Sequence, residues 1–232
     1  MSAAAVVVAG GRGTRMKAPV NKVFLEVAGR PILEWSLALF ESCPGVDRVV
    51  VVANAGDVAA CRSLASRFPK VSQVVPGGDL RHRSEFAGLA ALSARIDAGE
   101  VETILVHDAV RPFASPNLVL RLLSGMAEVQ ACIPGLPMPP GTALVEAGTV
   151  ASFPADLHLV QTPQAADATW LLEAHNRAAR AGFVGTDTAS VIEWAGGLVR
   201  VVPGELDNIK LTTQADLRMA ERIAGKRLES GD

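Results

Sequence analysis

Short, nearly uninterrupted apolar runs rich in β-branched residues constrain this chain more than any other feature. They fall at Ala5–Val8, Val49–Val52, Ser72–Val75, Thr103–Val106 and Val199–Val202. Each lacks the in-out alternation of a half-solvated strand, as expected of strands buried on both faces, and each is shorter than a buried helix. Helix-period segments lie between them, at Pro31–Cys43, Asp57–Arg67, Arg83–Ile96 and Pro116–Ala127, with Gln214–Arg227 after the last strand. Pro31 and Pro116 suit a first helical turn. Strand and helix in alternation build βαβ units, so an α/β fold is expected.

The architecture this predicts is a three-layer sandwich around a mostly parallel, Rossmann-like sheet. At 232 residues the chain has enough length for one substantial core, and a single domain over 1–232 is expected. The stretch 135–162 breaks the rhythm. It has prolines at 137, 139, 140 and 154, glycines at 141 and 148, and brief alternation around Ala143–Val150. It reads as a protruding β-arm. Its apolar residues, among them Leu136, Met138, Leu144, Val145, Leu157 and Leu159, need cover, which a counterpart arm in a homodimer would supply.

Formal charge is −2 and there is no Lys/Arg block, so the footprint of a nucleic-acid or membrane-surface binder is missing and the partners are expected to be small molecules. Cys43, Cys61 and Cys132 are scattered without C-x-x-C spacing, which supports neither a disulfide framework nor a zinc site and fits a reducing cytoplasm. The first apolar run has no basic flank and nothing reaches spanning length, so no export or membrane signal is read.

Ala9-Gly10-Gly11-Arg12-Gly13-Thr14-Arg15-Met16 follows the first strand directly. Glycines there let backbone N–H groups approach phosphate oxygens, while Arg15 and Lys22 can neutralise the charge. No Gly-Lys-Ser/Thr follows, so this is not a Walker loop. Met16 stands where a dinucleotide turn needs Gly or Ala, which weighs against a nicotinamide-dependent reductase. Gly77-Gly78-Asp79-Leu80-Arg81-His82-Arg83-Ser84 offers glycine backbone, a hydroxyl and a helix start suited to a base or phosphate, although an Asp-capped helix would look the same. His107-Asp108-Ala109-Val110-Arg111-Pro112 puts Asp108 at the carboxyl edge of the sheet, where a carboxylate can hold Mg²⁺ against phosphates. His107 reads as a packed core histidine. Thr186-Asp187-Thr188-Ala189-Ser190 reads first as a helix cap. Asp207-Asn208-Ile209-Lys210 brings a carboxylate and an ammonium to the same edge. Only five lysines stand against seventeen arginines, so Lys22 and Lys210 in loops read as compact charges aimed at phosphates. Together with Arg15 they exceed what a non-catalytic nucleotide-binding module needs.

These segments, with Thr162-Pro163-Gln164, resemble in order and over nearly the whole chain the 2-C-methyl-D-erythritol 4-phosphate cytidylyltransferases of the non-mevalonate isoprenoid pathway. The first segment is shared by many sugar-phosphate nucleotidyltransferases. The set together is similar to this family and to the pentitol-phosphate cytidylyltransferases, so ribitol 5-phosphate or another polyol or sugar phosphate stands as an alternative acceptor. The resemblance implies CTP and Mg²⁺. It implies Arg15, Lys22 and Lys210 as catalytic residues, the first two at the α-phosphorus and Lys210 at the acceptor phosphate. Ala9, Gly10, Gly11, Gly13, Gly78, Asp79, Ser84, Asp108 and Ala109 would line the nucleotide site. Arg111, Thr142, Thr162, Thr186 and Asp187 would join Lys210 around the acceptor, and Asp108 with Asp207 would face the metal. The family's arm usually carries an Asp-Thr pair and an Arg before the Thr-Pro-Gln. Here those regions read Pro139-Pro140-Gly141-Thr142 and Phe153-Pro154-Ala155, and no Lys or Arg occurs from Val129 to Asn176.

Overall fold

The computed structural model describes residues 2–11 and 21–230. Its first strand, β1 (Ala3–Val8), lies in the middle of the sheet, where a run of small and β-branched side chains can be packed on both faces. A two-residue ladder of β2 (Glu26–Val27) and β3 (Arg30–Pro31) leads into α1 (Ile32–Ser42). Then come β4 (Val46–Ala53), α2 (Val58–Ala65), β5 (Val71–Pro76), α3 (Arg81–Asp97) and β6 (Thr103–Asp108). β6, β1, β4 and β5 are neighbours in that order, all parallel, and end level with one another: Val8 pairs with Val52 and with Asp108, and Ala53 with Pro76.

After α4 (Pro116–Ser124), capped by Ser115 and opening on Pro116, the topology changes. β7 (Ala131–Pro137) is parallel to β12 (Val199–Pro203), while β11 (Gln164–Asp167) runs antiparallel between β6 and β7. β10 (His158–Val160) pairs antiparallel with the end of β7. Within 135–162, β8 (Leu144–Glu146) and β9 (Thr149–Ser152) form a hairpin separate from the main sheet. The arm is therefore tighter than 135–162: residues 135–137 and 158–160 belong to the main sheet. Pro134 and Pro137 are accommodated because the Pro134 carbonyl still accepts from Gln161 N–H and Pro137 ends its strand.

The sequence pattern omits the long helix α5 (Ala168–Ala181). Asp167 caps it by accepting from the Trp170 amide, its buried face is Ala168, Leu171, Ala174, His175 and Ala178, and Gly182 closes it in the left-handed region at φ 70°. The cap read at Asp187 is present: α6 (Thr188–Trp194) opens on a capping box between Asp187 and Ser190. Asp79, by contrast, does not cap α3; it pairs with Arg83 in solvent.

The three layers follow from the alternation within each strand. Ala3, Ala5 and Val7 of β1 pack with Leu37, Phe40, Cys61 and Leu118 from α1, α2 and α4, while Ala4 and Val6 pack with Leu89, Leu92 and Leu171 from α3 and α5. The last helix, α7 (Gln214–Ser230), covers Val27, Ile32 and Phe113 through Ala220, Ile223 and Ala224. Helix α3 lies close on the sheet at Gly88, where an added Cβ would lie 2.4 Å from Val6 Cγ1 and 3.0 Å from Val52 Cγ2. Gly88→Ala would gain at most about 1 kcal/mol of helix propensity. The overpacking against stiff β-branched strand residues costs about 1–3 kcal/mol and should win. Urea denaturation should show a net loss; unchanged stability would mean that α3 can shift away from the sheet.

Candidate active site

The four parallel strands end at one edge, and the turns after β1, β4, β5 and β6 enclose a cleft of about 540 Å³. This is the edge where open α/β sheets bind ligands. Ala9, Gly10, Gly11, Lys22, Gly78, Asp79, Ser84, Asp108 and Lys210 all line it, joined by Asn54 and Arg81. Gly13 and Arg15 lie outside the described residues. Ser84 holds the 77–80 turn together: its Oγ accepts from Gly78 N–H at 3.2 Å and lies 3.1 Å from the Leu80 carbonyl as donor. Gly77 and Gly78 are required by this tight turn, since a Cβ would lie 2.7 Å from Ser84 Oγ and 2.4 Å from Arg83 Cβ respectively. At Gly11 a Cβ would meet nothing within 4 Å among the described residues, so packing within the protein does not account for that glycine.

Asp108 lies on the cleft floor, and its two oxygens are divided between two cations. Arg81 Nε donates to Oδ1 at 3.0 Å and Lys210 Nζ to Oδ2 at 2.7 Å. Burial alone would raise this carboxyl, but the two neighbouring cations outweigh it and hold Asp108 well below the ordinary carboxylate range. Arg81 Nη1 also donates to Glu85 at 2.7 Å, and Nη2 is buried with no hydrogen-bond partner among the described residues. Lys22, in a 3-10 turn at Lys22–Phe24, is 8% exposed, and its Nζ donates to the Leu211 carbonyl at 3.1 Å.

Behind the floor a directed chain fixes the Asp108 backbone. Asp108 N–H donates to Thr162 Oγ1 at 3.0 Å, the Thr162 hydroxyl faces His107 Nδ1 at 3.2 Å, and His107 Nε2 lies 3.0 Å from the Arg111 carbonyl. These partners call for a neutral imidazole carrying its proton on Nε2, and burial accordingly pushes His107 down to about 4. His107 is thus the satisfied core residue that its position in β6 implies. The unfolded chain takes up a proton near pH 6.5 while folded His107 stays neutral to about pH 4, so stability should fall as pH drops through that window. The shift corresponds to about 3 kcal/mol at most. His82, lowered first by burial and then by nearby His175, acts in the same sense. Denaturation midpoints that stay flat from pH 7 to pH 4.5 would mean that His107 protonates in place.

Ala109, expected in the nucleotide site, and several residues expected around the acceptor do not line the cleft. Ala109 is fully buried, donating its N–H to Val8 O. Both Asp187 oxygens are taken, by Ser190 N–H and Gln164 Nε2. The Thr162 hydroxyl is spent behind the floor, Thr142 donates to Pro139 O, and Thr186 is exposed beside its helix cap. Arg111 is buried and donates to the carbonyls of Asn208 at 2.8 Å and Val160 at 3.3 Å. It therefore brings a guanidinium to the base of an arm that has no cation of its own. Asp207 is exposed and does not line the cleft. Among the described residues no three His, Cys, Asp or Glu side chains converge on a point where an ion could bind. A single carboxylate at the floor fits Mg²⁺ held chiefly through triphosphate oxygens, provided Lys210 or Arg81 yields one oxygen of Asp108.

The comparisons with known proteins bear on this geometry directly. The family model described as IspD, 2-C-methyl-D-erythritol 4-phosphate cytidylyltransferase, matches residues 3–226. The chain belongs to this family. Among curated members, the 2-C-methyl-D-erythritol 4-phosphate cytidylyltransferase of Halalkalibacterium halodurans is 38% identical, over 98% of this chain and 99% of that protein. A bifunctional IspD/IspF enzyme of Desulforudis audaxviator is 40% identical over 95% of this chain, which spans 56% of that longer protein. Among solved structures, the 4-diphosphocytidyl-2C-methyl-D-erythritol synthase of Anaerococcus prevotii superimposes with a TM-score of 0.83 at 28% identity, covering 97% of this chain and 98% of that one. The α/β fold is thus the one found in IspD crystal structures. No helix among the described residues is long and apolar enough to cross a membrane.

Proposed function

We propose that this chain transfers the CMP group of CTP to 2-C-methyl-D-erythritol 4-phosphate, releasing pyrophosphate, in isoprenoid precursor biosynthesis. The observation that carries the reading is family membership over residues 3–226, together with a glycine-lined cleft whose charged groups are Lys22, Asp79, Arg81, Asp108 and Lys210. An acceptor phosphomonoester is largely dianionic at neutral pH, its second pKa being about 6, so the reaction needs no general base. The acceptor oxygen attacks the α-phosphorus, the new O–P bond forms, and the bond to the β-phosphate oxygen breaks with pyrophosphate taking the electron pair. What the protein supplies is orientation and positive charge, which suits a cleft where two lysines and an arginine surround the carboxylate of Asp108.

In this reading Lys22, with Arg15, neutralises charge at the α-phosphorus, and the backbone of Gly10 and Gly11 cradles the triphosphate. Lys210 holds the acceptor phosphate. Asp108 would hold Mg²⁺, which when bound draws negative charge from the phosphate oxygens. The alternative acceptors are not favoured: the Halalkalibacterium halodurans and Anaerococcus prevotii relatives carry methylerythritol names. A pyrophosphate-release screen of four nucleoside triphosphates against methylerythritol phosphate, ribitol phosphate and sugar phosphates tests the reading. Release with CTP and methylerythritol phosphate alone is expected, and turnover confined to another pair would overturn it.

The arm supports a homodimer. Leu144, Val145, Val150 and Phe153 are 46–66% exposed on and beside the β8–β9 hairpin, and such a patch needs a partner surface. Sedimentation at micromolar concentration should therefore give a dimer, and a monomer there would leave the arm without this role. A cytoplasmic location suits the three free, buried cysteines.

A further inference from the structure

Behind Arg81, away from the cleft, lies a buried ionic strut that the reaction as described does not use. Glu85, one turn along α3, is 1% exposed, and His175 of α5 is fully buried. His175 Nε2 lies 3.1 Å from Glu85 Oε1, and Arg81 Nη1 donates to Glu85 Oε2 at 2.7 Å. The His175 ring stacks with His82, at 4.6 Å between centroids, and with Phe86, at 5.5 Å, which helps to hold its plane. Its Nδ1 has no partner among the described residues, which places the proton on Nε2, donating to Glu85. Burial opposes the Glu85 charge, but the His175 hydrogen bond and the Arg81 guanidinium outweigh it and hold the carboxyl below its ordinary value.

Burying a carboxylate and an imidazole between two helices is expensive, and apolar residues would pack there at lower cost. The cleft supplies a reason. A guanidinium beside a lone carboxylate tends to take both oxygens in a fork-to-fork pair. Here Arg81 gives Asp108 only Nε, to Oδ1, while Glu85 holds Nη1 at the other side of the guanidinium and so fixes the direction in which it faces Asp108, and Oδ2 is left for Lys210.

We propose that Glu85, braced by His175, is a positioning residue: by holding Nη1 it fixes the direction of the Arg81 guanidinium, keeps it on Oδ1 of Asp108 and so leaves Oδ2 to seat Lys210 at the acceptor end of the cleft. Glu85 touches no substrate; it acts through Arg81 and Asp108. The inference rests on the cytidylyl-transfer reading, whose own test is turnover by the wild-type enzyme.

A double-mutant cycle separates this role from simple support of the core. Glu85→Gln is expected to lower kcat/KM for methylerythritol phosphate about tenfold in the wild-type background, and less than about twofold when Lys210 is already Ala, since coupled residues are non-additive. Equal factors in both backgrounds, or no effect in either, would overturn the proposal. If Glu85→Gln does not fold, His175 provides the same cycle: His175→Gln keeps an N–H near the Nε2 position and should retain acceptor kcat/KM, whereas His175→Leu should lose it in the wild-type background only. Equal losses in His175→Gln and His175→Leu would likewise overturn it. Wild-type enzyme that turns over no methylerythritol phosphate would instead refute the functional reading, so the two failures are distinct.

Discussion

Lys22→Ala is expected to lower turnover by about two to three orders of magnitude, the usual size for removing one preorganised charge-stabilising donor. The ammonium is 8% exposed yet lines the cleft beside Gly10 and Gly11, where a triphosphate would take up the remaining space. Its hydrogen bond to the Leu211 carbonyl also ties the loop after β1 to the segment carrying Lys210, so its loss should be felt at both ends of the cleft. Lys22→Arg should recover only part of the rate, because a planar fork cannot occupy the place of a compact point charge. Steady-state kinetics alongside a thermal melt check this. An Ala variant that folds and keeps more than half of wild-type turnover would remove Lys22 from the mechanism.

Lys210→Ala should separate stability from activity. The Lys210–Asp108 pair is close at 2.7 Å, but the lysine side chain is 40% exposed, so the pair is screened and its loss should cost about 1 kcal/mol or less of folding free energy. The acceptor should register the loss far more strongly, because Arg111, the other cation on that side, is committed to the carbonyls of Asn208 and Val160. We expect kcat/KM for the acceptor to fall at least about tenfold and up to about a hundredfold, roughly 1.4–2.7 kcal/mol, with CTP affinity within about twofold of wild type. An equal loss for CTP would move Lys210 onto the triphosphate, and an unchanged acceptor kcat/KM would leave it a solvent-exposed lysine.

How far the sequence announces this structure depends on what each element packs against. β1, β4 and β6 are legible because strands covered on both faces must be continuously apolar. β7 is not, since Ala131-Cys132-Ile133-Pro134-Gly135-Leu136-Pro137 carries the residues that normally end a strand, and only its pairing with β12, β11 and β10 makes it one. α5 had readable signals in Asp167 and Gly182, and its i, i+3, i+4, i+7 face of buried residues is masked by the mostly small alanines. In the site, the glycine turns, Lys22, Asp108 and Lys210 could be found because phosphate chemistry favours those residue types just after strands. Arg81 stood inside a recognised motif, yet its function depends on Glu85, Asp108 and His175, which no spacing rule connects. A hydroxyl near a conspicuous motif can also be spent on structure, as those of Thr162 and Thr142 are, and no motif reveals that.

The single reversed strand between β6 and β7 has a consequence for how such a catalyst can change. Because β11 runs opposite to both, β7 and β12 still point the same way as β6, so the arm and the Lys210 loop open on the same edge as the nucleotide cleft. Two strand spacings, about 10 Å, separate the two halves, and among the described residues β11 alone joins them. The arm can therefore lengthen, shorten or exchange its polar groups without disturbing the β6–β1–β4–β5 half, so the chain can vary at one end of the sheet while the cleft at the other stays fixed.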